Sequence, residues 1–273
     1  MAANSWRNVS NVVGNEWRNA LASPNTVLFA TLLPVVILAQ VFLVIWLVIQ
    51  FAGSDALMNT ILGKGLERFE AVMPAISALD LADKFKMFFY MQLPVYLLLI
   101  PAMIANGMAT FSIVEEKLTG TLEPLLATPV RTWELLLGKA LSGAVPAVII
   151  TWACAGLCLA GIAIIGPATL VRYTLTPAWL VTLLLNVPAI TLSSFLVGVI
   201  GSSRARDAKG AQNLAVLIVL PILALVIVQL LGFVALTPLM LAGFGVFILL
   251  VDYLTLVAAV KLFRRESIVV KWK

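Results

Sequence analysis

Histidine is absent from this 273-residue chain. The commonest general base and the commonest metal ligand are therefore missing, and hydrolytic or zinc chemistry starts without its usual side chain. Charge is scarce as well: Asp, Glu, Lys and Arg make up 11% of the residues, against about 25% in soluble domains. Cysteine is limited to Cys154 and Cys158, both inside one apolar run. That excludes a secreted disulfide framework and points to no redox compartment. No phosphate-binding loop of the Gly-x4-Gly-Lys-Ser/Thr kind is present. The Gly-Lys pairs at Gly63, Lys64 and at Gly138, Lys139 lack both the upstream glycine and the hydroxyl.

What fills the chain instead is apolar: 62% of the residues, with a mean hydropathy of +1.07. Soluble domains run near 45–50%, so lipid must cover much of this surface. Six runs of about 20 residues carry few or no charges, at 27–51, 88–114, 141–165, 177–200, 213–231 and 239–260. No polar block between them is large enough to fold separately, and residues 1–273 read as one all-α, polytopic membrane domain. Pro34, Pro94, Pro101, Pro146, Pro188 and Pro221 fall within the runs and are expected to kink some of them. The first ~26 residues are polar to amphipathic and the first run is too long for a signal core, so no cleaved signal is expected.

The formal charge of +5 does not indicate nucleic acid, because the basic residues are scattered between the runs. They are explained by orientation. With the N-terminus inside, thirteen of the 18 Lys and Arg residues fall on the cytoplasmic side, and Lys64, Arg68, Lys84, Lys86 and Arg172 fall outside. Both termini are therefore expected in the cytoplasm.

Two polar stretches have a helical period. In residues 1–26, Trp6, Val9, Val13, Trp17 and Leu21 share one stripe, with Arg7, Asn11, Glu16 and Arg18 elsewhere. This predicts an amphipathic helix lying on the inner leaflet before Ser23 and Pro24 turn the chain inward; a frayed tail is the plainer alternative. In the external loop, 53–87, a stripe of Leu57, Ile61, Leu66, Phe69, Met73 and Ile76 opposes Lys64, Glu67, Arg68 and Glu70. It reads equally as a helix capping a pathway and as a connector resting on the membrane.

The third polar stretch, 115–140, holds the densest local signals. Glu115, Glu116 and Lys117 carry the second span out of the membrane. Gly120 suits a helix end, Thr121 an N-cap, and Glu123 a first turn facing the helix dipole. Pro124 is tolerated in a first turn, and Thr128 before Pro129 ends the helix. A short helix at about 122–127 is predicted, with Thr132, Trp133 and Glu134 opening the next. A rigid helix between two breaks suits docking into a partner's groove; an ordinary solvated loop is the alternative.

Glu115, Glu116, Lys117, then Gly120, Thr121, Leu122 and Glu123, the pair Leu125, Leu126, and Thr128, Pro129 together resemble the cytoplasmic loop of ABC-2 transporter permeases. Trp133, Glu134, Leu137, Gly138 and Lys139 continue the likeness, and Glu16, Ser23, Pro24 and Leu32, Leu33, Pro34 resemble that family's amphipathic first helix and first span. Pro124 departs from it, where many members have a glutamine or another helix former. The resemblance implies six spans with both ends inside and a permease subunit of an exporter in a prokaryotic cell membrane. Its partners would be separate ATPase subunits, which bind ATP and Mg, and a second permease copy or a relative. The short helix would act as the coupling helix, with Glu115, Glu116, Lys117, Gly120, Thr121, Glu123 and Arg131 touching the ATPase. The chain itself would be no enzyme and hold no cofactor. The first, second and fifth spans would line the path.

Four features stand outside that pattern. Asp252 is the clear carboxylate within a span, readable as an ion site or as a buried polar contact with Tyr253 or Asn186. An ion-coupled transporter or channel using Asp252 is the alternative function, and a force-transmitting subunit with an outside partner is another. Cys154 and Cys158, four apart among Ala and Gly, read as helix packing rather than a soft-metal site. Met87, Met91, Met103 and Met108 read as core filler. Arg204, Arg206, Asp207 and Lys209 form a second inner loop that either contacts the ATPase or sets topology.

Overall fold

The computed structural model describes residues 2–51, 58–118, 132–165, 171, 174–204, 216–232 and 236–262. Those residues are helical almost throughout. In chain order the helices are α1 (Ala2–Ala22), α2 (Pro24–Gln50), α3 (Ile61–Val72), α4 (Leu81–Tyr90), α5 (Leu93–Leu97), α6 (Leu99–Leu118) and α7 (Thr132–Ile165). They are followed by α8 (Pro177–Val181), α9 (Val187–Arg204), α10 (Val216–Leu230) and α11 (Pro238–Leu262). A 3-10 turn, Pro74–Ile76, follows α3, and a π turn, Thr182–Asn186, joins α8 to α9.

Among the described residues, five stretches are long and apolar enough to cross a bilayer: Thr26–Gln50, Leu81–Thr110, Leu137–Ile164, Pro177–Gly201 and Pro238–Val257. The run at 213–231 appears as the 15-residue helix α10, about 22 Å at 1.5 Å per residue.

Leu81–Thr110 is the axis of the bundle. Most of its residues are buried, whereas few of those in Thr26–Gln50 and Pro238–Val257 are, and the outer faces of these two remain open. Its partner is α9, which packs on α6, α11 and α7. In lipid the hydrophobic effect does little to press helices together, and close approach through small residues takes over. Gly198 of α9 shows this: a Cβ there would lie 2.9 Å from the Ala109 methyl and 3.1 Å from the Asn106 carbonyl of α6. Across the same contact Asn106 donates to the Ser194 carbonyl at 3.3 Å.

Proline explains the interruptions of two spans. Pro94 has no N–H for the Tyr90 carbonyl, and Pro101 has none for Leu97; α4 ends at Tyr90 and α5 at Leu97. The gaps close with tighter bonds, Gln92 N–H to Phe89 and Leu98 N–H to Val95. Pro188 acts differently. Val187 N–H reaches back five residues to Thr182, forming the π turn, and Pro188 offers the Leu183 carbonyl no donor. Trp152 of α7 supplies one, its Nε1–H lying 2.9 Å from that oxygen.

The two ends of the bundle differ. At the proximal end, α1 lies across the start of α7. At the distal end, α3 covers the turn after α10: Arg68 donates to the Leu231 carbonyl at 2.9 Å, and Phe69 meets Phe88 edge-on at 5.4 Å. Gly232 makes that turn at φ +66, with its Cα facing the Gly65 carbonyl so closely that a Cβ would lie 2.5 Å from the oxygen.

Candidate functional site

Among the described residues, the proximal end gathers most of the side chain–side chain hydrogen bonds between helices. Lys139, about two turns into α7, is an ammonium with a 4% exposed side chain. It lies 2.6 Å from Glu16 Oε1 of α1 and 2.8 Å from Ser112 Oγ of α6. Ser112 in turn donates to Glu16 Oε2 at 3.0 Å. The three groups close a triangle: one cation, one anion, and a hydroxyl that both accepts and donates. A lysine this deep is stable only when paired.

One turn towards the start of α7, Glu134 is also buried and accepts from Ser5 Oγ and, at 3.1 Å, from Asn8 Nδ2. One turn the other way, Trp17 Nε1 donates to the Ser142 carbonyl at 2.9 Å. Between these bonds the backbones close up at Gly138, where a Cβ would meet Val12 at 2.7 Å. Ser5, Asn8, Val12 and Glu16 thus form the docked face of α1, spaced by three or four residues as a helix face requires. Trp6 and Leu21 stay exposed, at 67% and 76%.

The triangle brackets the loop singled out by its sequence. Ser112 lies six residues before the end of α6 and Lys139 seven residues after the start of α7. Glu115, Glu116 and Lys117 occupy the last turns of α6. Gly120, Thr121, Glu123 and Arg131, and with them the expected helix at 122–127, lie outside the described residues, as do Arg206, Asp207 and Lys209.

Sequence reasoning missed the triangle. Periodicity puts Glu16 on the side of α1 away from the apolar stripe, and Lys139 counts among the cytoplasmic charges that set topology. A glutamate about three turns before the first apolar run and a lysine two residues before the third were the available signal, but nothing local pairs them.

Asp252 lies elsewhere, in the middle of α11 and 2% exposed, against α9. The Ser193 hydroxyl of α9 lies close to it, yet among the described residues neither carboxylate oxygen is within bonding geometry of a donor. Tyr253 points outward at 67% exposure. Asn186 sits nearly two turns away, where its Oδ1 would be 2.3 Å from a Cβ on Gly245. Cys154 and Cys158 are both free and buried in the bundle.

A family model described as "ABC-2 family transporter protein" matches residues 10–264. No curated protein matches the chain. The matched segment begins inside α1 and ends beyond α11, so it contains the bundle, Glu16, Ser112 and Lys139 alike. A chain matched over almost its whole length, all-helical where described and apolar enough to cross a bilayer repeatedly, belongs to the ABC-2 transporter family, whose members are typically the non-catalytic membrane subunits of ABC-type transporters.

Proposed function

We propose that this permease subunit couples ATP hydrolysis on a separate ATPase subunit to export of a substrate across a prokaryotic cell membrane. In this reading it has six spans, α10 being the fifth, with both termini in the cytoplasm and α1 lying on the inner leaflet. Two permeases and two ATPases form the transporter. The loop between α6 and α7 enters a cleft on the ATPase, with Glu115, Glu116, Lys117, Gly120, Thr121, Glu123 and Arg131 at the contact.

The observation that carries the reading is the triangle of Glu16, Ser112 and Lys139. It ties both shoulders of the loop to each other and to the surface helix. A displacement of the loop is therefore delivered to the second span, the third span and α1 together rather than absorbed by bending at one helix end. Coupling of this kind needs a packed element with discrete arrangements, and a buried, mutually bonded charge pair supplies one: partial separation leaves both charges without partners.

The test is capture of the ATPase. The chain is co-expressed with the ATPase encoded beside its gene and purified through a tag on this chain, comparing wild type with Gly120→Pro and Glu123→Arg. Wild type is expected to bring the ATPase along, and each variant to lose it while remaining folded. Capture by the variants equal to wild type would sink the loop assignment.

A second reading, ion-coupled transport through Asp252, draws on the unpartnered carboxylate in α11. It predicts that Asp252→Asn abolishes a dependence of transport on the ion gradient, whereas ATP-driven export survives that substitution.

A further inference from the structure

The distal half of the bundle holds two cavities. One, of about 190 Å³, lies between α2, the α4–α5 junction and α10, and its polar side chains are Gln40, Gln92 and Tyr96. The other, of about 240 Å³, lies beneath α3 and the start of α11, and its polar side chains are Gln92, Thr176 and Gln229. Gln92 lines both. Neither wall includes an Asp, Glu, Lys or Arg; Val41, Phe89 and Leu93 line the first and Phe69, Phe88 and Met91 the second.

Gln92 is the unusual member. It is 7% exposed, and among the described residues neither its Oε1 nor its Nε2 has a hydrogen-bond partner. Gln229, 9% exposed, has an Oε1 that is likewise unpartnered among the described residues. A buried amide left unpaired is costly, and the fold has an inexpensive remedy that it does not use, namely leucine. Position 92 also falls in the break before Pro94, where the chain leaves the α-helical path. The break turns the amide to the wall shared by the two cavities.

We propose that the two cavities form one site for an uncharged amphiphile, whose group bearing both a donor and an acceptor sits on Gln92 and Gln229 and whose apolar body fills the aromatic and aliphatic walls. An amide side chain both donates and accepts, so the best complement does the same, as a primary amide does by pairing N–H to O in both directions. A charged head is disfavoured, since no countercharge lines the walls and the surroundings are apolar. Separately the cavities are smaller than the roughly 300–1,000 Å³ of drug-sized sites; joined across Gln92 they reach it. That the ligand is cargo rests on the permease reading; that it binds does not.

The experiment uses the full chain alone, purified in detergent, and tritiated decanamide as the probe. Unlabelled decanamide, decanoate at pH 8, decyltrimethylammonium and dioctanoylglycerol compete, the first three sharing a ten-carbon scale with neutral, negative and positive heads. Saturable binding is expected, with both charged competitors at least tenfold weaker than decanamide. Gln92→Leu is expected to lose at least tenfold in affinity while unfolding, without ligand, at the same or a higher temperature than wild type; Gln229→Leu follows in the same direction. A structural role for the amide predicts the reverse, a lower unfolding temperature. If dioctanoylglycerol competes better than decanamide, the occupant is a neutral bilayer lipid; if worse, a free uncharged amphiphile, and either result supports the site. Absent saturable binding, charged competitors within threefold of decanamide, or undiminished binding in both leucine variants would each overturn it. ATPase capture that fails while decanamide still binds would remove the transport role and leave the site; the converse would remove the site and leave the transporter.

Discussion

Lys139→Met separates a structural from a decorative role for the triangle. The substitution keeps the unbranched stem, one atom shorter, and removes the charge. Glu16, 15% exposed, then keeps only the Ser112 hydroxyl. Breaking a buried pair from one side costs about 3–5 kcal/mol, because the remaining charge stays uncompensated, whereas an exposed pair is worth about 0.2–1 kcal/mol. Glu16 retains some access to solvent, so the lower end applies, about 3 kcal/mol, or on the order of 100-fold in the population with α1 undocked. The readout is maleimide labelling of Val9→Cys. Val9 is 3% exposed beneath α1, and the native Cys154 and Cys158 are themselves buried, at 5% and 0%. Lys139→Met in that background is expected to raise the labelling rate about 100-fold. Adding Glu16→Gln to Lys139→Met is expected to recover much of the loss, giving a coupling of about 2 kcal/mol in the double-mutant cycle. A coupling below about 0.5 kcal/mol would refute the claim that the pair holds α1 to the loop's shoulders.

Three further outcomes follow from contacts elsewhere. Gly138→Ala would place a methyl 2.7 Å from Val12 and 3.3 Å from the Val9 carbonyl; α1 must lift, with an expected cost of about 1–3 kcal/mol and faster labelling at Val9→Cys, and an unchanged rate would count against the close crossing. Gly232→Ala is expected to lower the thermal unfolding midpoint, since its φ of +66 and the Gly65 carbonyl 2.5 Å from the new Cβ both oppose a side chain; a neutral result would mean that α3 does not press on that turn. Trp152→Phe removes the donor to the Leu183 carbonyl and is expected to cost about 1 kcal/mol in the same assay, whereas no loss would show that carbonyl satisfied without it.

Hydropathy made the apolar runs legible, because a helix that faces lipid can hold almost nothing else. The same property hid the breaks. Residues 88–114 read as one run, and the prolines at 94 and 101 marked it for kinking, but whether a proline bends a helix or divides it depends on what its neighbours offer the freed carbonyls. Pro34, Pro146 and Pro221 sit inside unbroken helices; Pro94 and Pro101 start new ones. The docked face of α1 was invisible for a related reason. Periodicity sorts side chains by affinity for water, and Glu16 sorts as solvent-facing until a lysine on another helix is placed beside it. Gln92 and Gln229 escaped notice likewise: in sequence they are two mild interruptions of apolar runs, and only the shared wall gives them meaning.

The pairing of Glu16 with Lys139 also sets an order of events during synthesis. The two are separated by 123 residues, which a ribosome needs about 6–25 s to add at roughly 5–20 residues per second. Through that interval α1 has emerged but its cation has not, and its Trp6 and Leu21 side offers the nascent chain a place to wait on lipid. Arrival of the third span then recruits a helix already parked beside it, so that a segment made earlier than the spans is among the last to be locked in place.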